Sequence, residues 1–176
     1  MCIRDSKYPD SYDPNTPEEV IYLGSKKLTD KVVVNGQETN IGQLILSPTR
    51  TYLPVIKTIF DYCRAGVTGM IHCTGGAQSK VLKFIDKVHV IKDDLLPIPP
   101  LFQIIKEESG TDWKELYQVF NMGHRLEVYL QPKYAKDVLK IANTFGIEAK
   151  IIGKVEASEQ SRVSILAPNK EWISYS

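Results

Sequence analysis

The amino-acid sequence predicts an α+β fold in which helices pack on a mixed β-sheet. Three observations support this prediction. The dipeptide Asn35-Gly36 separates two strand-like segments, apolar residues recur at helical spacing from Tyr52 onward, and apolar and polar residues alternate over residues 126–130. Helix-like and strand-like segments follow one another along a chain of 176 residues, without an internal repeat or a low-complexity tract.

The first half of the chain contains a predicted hairpin followed by alternating helices and strands. Residues 28–34 and 41–46 are expected to pair around Asn35-Gly36, because this dipeptide accepts the positive φ of a tight turn. From Tyr52 the apolar spacing predicts a helix, with Pro54 tolerated in its first turn. The next predicted elements are a strand at 67–73, a helix at 78–84 and a strand at 88–91.

Prolines and glycines mark the predicted elements of the second half. Prolines between residues 97 and 100 precede a helix that Gly110 ends. Asp112 and Glu115 have the spacing of a capping pair and predict the start of another helix. The last predicted elements are the strand at 126–130, a helix from Pro132 with Gly146 as its cap, and strands at 150–155 and 163–167.

Residues 1–20 are expected to form a stub and a linker, and residues 21–176 the folded domain. The first six residues match nothing that follows, and residues 7–19 are polar and rich in Pro, Asp and Asn. Such a start is typical of an interdomain linker. We therefore expect part of the parent protein to lie upstream.

The composition excludes several classes of protein. Hydrophobic residues make up 43% and charged residues 24%, as in globular proteins. A net charge of +1 argues against partners such as nucleic acid or an anionic membrane, and no apolar run approaches the roughly 18–20 residues of a membrane helix. The three cysteines lack the spacing of a disulfide framework or a zinc ribbon, which predicts a reducing, cytoplasmic setting.

The strongest local motif is Gly69-Met-Ile-His-Cys-Thr-Gly-Gly-Ala77, in which an apolar strand enters a glycine turn and then a helix. Glycines let the backbone approach a ligand, and the first N–H groups of a helix favour a phosphate. His72 would stand at the end of the strand, within reach of a substrate. The alternative, which the spacing alone favours, is a tight turn with a half-buried histidine whose hydrogen bonds are satisfied.

Two further segments contain candidate binding residues. Arg50 offers a guanidinium beside a helix start, suited to a phosphate or carboxylate, although a solvated first turn is the alternative. Asn121 can donate and accept hydrogen bonds and Gly123 permits close backbone contact, although both also suit a helix end followed by a turn. No metal site is predicted, because the histidines and cysteines lack ligand spacing, and no Walker A loop is present.

Taken together, four segments resemble the carboxy-terminal half of the phosphoribosylformylglycinamidine cyclo-ligase (AIR synthetase) family, in its order and spacing. The segments are Leu46-Ser-Pro-Thr-Arg-Thr-Tyr52, the motif from Gly69 to Ala77, Pro97-Ile-Pro-Pro-Leu-Phe102 and Tyr117-Gln-Val-Phe-Asn-Met-Gly123. The resemblance runs from about Tyr22 to Val155 and more loosely to Ala167. Ala77 departs from the family, where many relatives carry a third glycine.

The resemblance implies that the parent protein is an ATP-dependent ligase of purine biosynthesis. It would close formylglycinamidine ribonucleotide (FGAM) to aminoimidazole ribonucleotide, as a cytoplasmic homodimer that uses ATP and Mg²⁺. The family binds the nucleotide with an amino-terminal domain that this sequence lacks. We therefore expect the chain alone to be inactive and to bind neither cofactor tightly. The alternatives are a non-catalytic binding or scaffold domain and a related ATP-dependent enzyme such as FGAM synthetase.

The resemblance also implies roles for particular residues. The glycine turn would bind the substrate phosphate, two polar side chains would face the reacting groups as catalytic residues, and a third segment would shape the neighbouring wall. Thr74, Gly75 and Gly76 are the residues assigned to the substrate phosphate. His72 and Arg50 are the assigned catalytic residues. Asn121 and Gly123 are assigned to the neighbouring wall.

Overall fold

A computed structural model describes residues 25–34, 36–48 and 50–176. The described strands are β1 (Lys31–Val34), β2 (Gln37–Asn40), β3 (Val67–His72), β4 (Val88–Lys92), β5 (Leu126–Leu130), β6 (Gly153–Ala157), β7 (Arg162–Leu166) and β8 (Trp172–Tyr175). The described α-helices are α1 (Ile41–Ile45), α2 (Leu53–Cys63), α3 (Pro100–Ser109), α4 (Trp113–Val119) and α5 (Ala135–Thr144). Short 3₁₀ helices span Arg64–Gly66, Ala77–Phe84 and Pro132–Tyr134. The mixed α+β class predicted from the sequence is confirmed.

The chain divides into two compact units. Among described residues, one unit comprises residues 25–48, apart from residue 35, together with Pro100–Thr111. The other comprises residues 50–99 and Asp112–Ser176. The domain boundary predicted at residue 20 lies outside the described residues and stays a prediction.

The first unit contains the hairpin of β1 and β2 and the helices α1 and α3. The hairpin turn is confirmed, with Gly36 at φ +77°, but its second strand was misplaced: residues 41–46 were predicted as strand and instead begin as α1. A capping box explains the difference. The Asn40 side chain accepts from the Gln43 backbone N–H at 2.9 Å, and the Gln43 side chain accepts from the Asn40 N–H at 3.3 Å. These bonds satisfy free donors at the start of a helix.

In the second unit, α2 packs on α5 and on the antiparallel pair of β3 and β5. Val55, Ile59 and Cys63 form the buried centre of this cluster, at the helical spacing that predicted α2. The helix predicted from Pro132 begins as a single 3₁₀ turn before α5, and Gly146 follows its end with φ +64°. Both ends of this helix are therefore close to the prediction.

A four-stranded sheet in the order β6-β4-β7-β8 forms the other half of the second unit. β4 pairs in parallel with β7 and antiparallel with β6, so that β6 and β7, consecutive in the chain, lie on either side of β4. The predicted strand at 150–155 lies at Gly153–Ala157 instead, and β8 was missed. No helix in the described part of the chain is long and apolar enough to cross a membrane.

Candidate functional site

The glycine turn links the end of β3 to the 3₁₀ helix Ala77–Phe84. Its backbone is fixed by two short hydrogen bonds, from the Thr74 N–H to the His72 carbonyl and from the Ala77 N–H to the Thr74 carbonyl, each 2.8 Å long. Gly76 has φ +86°, a conformation that L side chains rarely adopt, and it therefore requires glycine. Ala77 is also left-handed, with φ +39°.

The turn is open to solvent and carries positive charge. Thr74 and Gly75 are exposed, and a Cβ added at Gly75 would meet no atom within 4 Å. The N–H groups of Gly75 and Gly76 donate to no described residue. The Lys80 ammonium donates to the Thr74 hydroxyl and to the His72 carbonyl, each at 3.0 Å. Two free N–H groups beside a hydroxyl and an ammonium are suited to binding an anion. The sequence analysis did not single out Lys80, which lies one helical turn beyond the glycines.

His72 and His124 occupy opposite surroundings. The His72 side chain is exposed at the end of β3, so the half-buried histidine of the alternative interpretation is not observed there. His124 is 4% exposed, and its Nε2 accepts from the Leu96 N–H at 3.1 Å. Burial lowers the pKa of His124 to about 4, against a smaller opposing effect of the Glu127 carboxylate. His124 is therefore a neutral structural residue, whereas His72 is accessible to a ligand.

The segment Asn121–Gly123 is a tight loop joined to the 3₁₀ helix. The Asn121 side chain accepts from the Gly123 N–H at 2.9 Å, and the Asn121 carbonyl accepts from the Gln78 side-chain amide at 2.8 Å. Gly123 has φ +98°, and a Cβ there would lie 2.9 Å from Cδ of Pro99. The structure thus places this segment next to the helix that follows the glycine turn.

Arg50 is exposed ahead of α2 and has no hydrogen-bond or ion-pair partner among the described residues.

A buried polar network, which the sequence analysis missed, connects these parts. The Lys92 ammonium donates to a Glu127 oxygen at 2.5 Å and to both the side-chain and backbone oxygens of Gln78 at 2.9 Å. The second Glu127 oxygen accepts from the Tyr129 hydroxyl at 2.6 Å. The sequence analysis assigned no orientation to Glu127, whose side chain is 5% exposed in a strand where every residue is at least partly buried.

Comparison with known proteins identifies the family. A family model described as "AIR synthase related protein, C-terminal domain" matches residues 20–165. The chain belongs to this family. The match contains the glycine turn, the Asn121–Gly123 loop and the buried network.

Curated relatives of this AIR synthase family chain are named phosphoribosylformylglycinamidine cyclo-ligase. The protein from Syntrophus aciditrophicus is 30% identical over 155 residues, covering 82% of this chain and 42% of that protein. The protein from Methanopyrus kandleri is 34% identical over 117 residues, covering 66% of this chain and 33% of that protein. The chain thus spans about two fifths or less of the length of these relatives.

Solved structures show the same fold at low sequence identity. E. coli HypE, described as a hydrogenase maturation protein, has a TM-score of 0.52 and 20% identity over 71% of this chain and 38% of its own. A HypE–HypF complex has a TM-score of 0.53 and 19% identity over 77% of this chain and 46% of that chain. These likenesses show the AIR synthase-related fold alone.

Two observations concern nucleophiles and metal ligands in the described residues of this family member. The Cys73 thiol, beside the turn, is buried, and burial together with the Glu127 carboxylate raises its pKa to about 12, so that it is a poor nucleophile. In the described part of the chain no three His, Cys, Asp or Glu side chains come together as metal ligands.

Proposed function

We propose that this chain is the carboxy-terminal part of an ATP-dependent phosphoribosylformylglycinamidine cyclo-ligase, a cytoplasmic enzyme of purine biosynthesis. The reaction would close FGAM to aminoimidazole ribonucleotide. Support comes from the family match over residues 20–165 and from relatives that carry this name. The structural observation that carries the proposal is the open, positively charged turn within the matched region.

In this proposal the glycine turn binds the phosphate of FGAM. The free N–H groups of Gly75 and Gly76 would donate to its oxygens, and Thr74 and the Lys80 ammonium would bind the same group from the side. Charge-assisted hydrogen bonds of this kind are stronger than hydrogen bonds between neutral groups. The turn is exposed and is already fixed by backbone hydrogen bonds, so it needs no large rearrangement to bind an anion.

The remaining predicted residues would act on the other end of the substrate. His72, exposed at the end of β3, would exchange a proton with the reacting amide and amidine groups, and Arg50 would stabilise negative charge that develops there. The Asn121–Gly123 loop would form the neighbouring wall. Its shape is fixed by the Asn121 side chain and by the contact of Gly123 with Pro99.

We propose that ATP and Mg²⁺ bind to an amino-terminal domain of a homodimeric parent enzyme. When bound, ATP supplies the phosphoryl group that activates the amide oxygen of FGAM for attack by the amidine nitrogen. The described residues contain neither a Mg²⁺ ligand cluster nor a Walker A loop. We therefore expect the chain alone to bind FGAM through its phosphate and to release no aminoimidazole ribonucleotide.

An amide-resolved titration of the 176-residue chain with FGAM tests the proposal. The resonances of Gly75, Gly76 and Lys80 should shift with the ligand. Lys80→Ala should raise the dissociation constant about 10- to 100-fold, since a hydrogen bond to a charged group contributes about 1.5–3 kcal/mol. Lys83→Ala is the matched control, because Lys83 is an exposed lysine of the same 3₁₀ helix.

A second variant addresses the turn without removing a charge. Gly75→Val should fold normally, because its Cβ meets open space and its φ is not positive, in contrast to Gly76. The added side chain should cover the N–H groups and weaken FGAM binding. The proposal is wrong if FGAM shifts no resonance of the turn, or if the Lys80 and Lys83 variants bind it equally well.

A further inference from the structure

Lys92 lies at the end of β4 with its side chain 1% exposed, and it uses all of its hydrogen-bonding capacity within the protein. The three hydrogens of an ammonium match its three acceptors, one on Glu127 and two on Gln78. No donor is left for a ligand. Whatever Lys92 contributes to the site must therefore act through its partners.

Gln78 is the partner that reaches the site. It is the second residue of the 3₁₀ helix after the glycine turn, it is 0% exposed, and its side-chain nitrogen donates to the Asn121 carbonyl. Lys92 can only donate, so the oxygen of the Gln78 amide must face it and the nitrogen must face Asn121. The ammonium thus sets the orientation of the amide that joins the two segments.

Glu127 holds the ammonium in place from β5. One carboxylate oxygen accepts from Lys92 and the other from Tyr129, and every buried side-chain nitrogen and oxygen in the described part of the chain has a partner. A buried ion pair contributes little to stability compared with a well-packed apolar pair of the same volume. Stability alone therefore does not account for two charges at this position.

We propose that Lys92 and Glu127 are positioning residues, which hold the turn Thr74–Gly76 and the loop Asn121–Gly123 in fixed relation through Gln78. The proposal rests on the proposed function of the turn as the anion site. Neither residue touches the substrate. Their effect on binding is indirect: they prevent the Gln78 amide from rotating and the two segments from separating.

The test compares FGAM binding and amide spectra of the 176-residue chain with those of an apolar variant. Lys92→Met, Glu127→Leu and Tyr129→Phe together remove the ion pair without leaving a buried charge or an unpaired tyrosine hydroxyl. We expect this triple variant to fold with a lowered unfolding temperature, because the side-chain and backbone oxygens of buried Gln78 lose their donor. The amide resonances of Gly75, Gly76 and Asn121 should shift or broaden without ligand, and the dissociation constant of FGAM should rise about tenfold.

Two further variants complete the design. Gln78→Met breaks the link but leaves the ion pair, and it should show the same loss of FGAM binding, so it decides the question if the triple variant does not fold. The exposed pair Lys154–Glu156, changed to Met and Leu, is the matched control and should alter neither spectra nor binding.

The outcomes separate this proposal from the proposed function. Folded variants that bind FGAM as tightly as the original chain would overturn the positioning role. If the original chain itself does not bind FGAM, the anion site is wrong, and the ligand-free spectra decide the positioning role. Unchanged resonances of Gly75, Gly76 and Asn121 in the variants would then refute it.

Discussion

The ion pair between β4 and β5 and the ion pair within β6 contain the same two charges in opposite surroundings. The side chains of Lys92 and Glu127 are 1% and 5% exposed, whereas those of Lys154 and Glu156 are 61% and 48% exposed. The distances between the charged atoms are nearly equal, 2.5 and 2.6 Å. Distance therefore does not distinguish the pairs, and burial does.

The comparison shows that one type of interaction has two different effects within one unit of the chain. An exposed pair is surrounded by water that stabilises each charge separately, so its loss changes little. A buried pair has no such replacement, so each charge depends on the other and on every further hydrogen bond. The buried pair can accordingly fix the position of Gln78, to which Lys92 donates. The exposed pair fixes no residue outside its own strand.

The largest effect is expected from removing one member of the buried pair. Lys92→Met leaves the Glu127 carboxylate buried without its partner, which should lower the free energy of unfolding by about 3–5 kcal/mol. Urea unfolding followed by circular dichroism measures the change. A loss below about 1 kcal/mol would mean that water reaches Glu127, and the contrast between the pairs would then disappear.

A pH-dependent effect of intermediate size is expected from the buried histidine His124. The folded-state pKa of His124 is about 4, below its ordinary value of 6.5. The unfolded chain therefore takes up the proton at higher pH than the folded chain. The stabilising contribution is complete above about pH 6.5 and falls as the pH drops toward 4, with a slope of at most about 1.4 kcal/mol per pH unit.

Substitution of this histidine isolates its share of the pH dependence. In His124→Gln the amide oxygen can still accept from the Leu96 N–H, but no proton is taken up. Urea unfolding between about pH 4.5 and pH 7.5 should give a shallower slope than in the original chain. Equal slopes would show that His124 takes up its proton at the same pH in the folded and the unfolded chain, contrary to the effect expected from its burial.

The smallest effect is expected from the exposed pair. Lys154→Met should leave the unfolding midpoint within experimental error, because both charges are hydrated before and after folding. The same urea measurement should be made at low and at high salt. At neither salt concentration should the midpoint of Lys154→Met differ from that of the original chain by more than the experimental error. A large loss would show that this pair also organises its surroundings.

Sequence patterns correctly predicted those helices that are determined by residues within their own segment. Helical spacing gave α2, and Asp112 caps α4 as expected, accepting from the Glu115 N–H at 2.7 Å. The misassigned α1 also had a local signal, the capping box of Asn40 and Gln43, which competed with the apolar residues that suggested a strand. That error was therefore avoidable from sequence.

The buried network could not be predicted in the same way. Gln78, Lys92 and Glu127 belong to three separate elements, and only tertiary packing brings them into contact. A lysine at the end of an apolar strand and a glutamate inside another are each ordinary surface residues by pattern. For the glycine turn, the sequence indicated the motif, whereas the exposure of Gly75 and the contact of Lys80 required coordinates.

The position of β4 between β6 and β7 has consequences for the order of folding. β6 and β7 are separated only by residues 158–161, yet they cannot pair with each other because β4, from much earlier in the chain, lies between them. Contacts between distant segments form slowly, since a long loop must close first. During synthesis, β4 therefore cannot pair with β6 and β7 until residues 153–166 have left the ribosome. Its apolar side chains remain exposed until then.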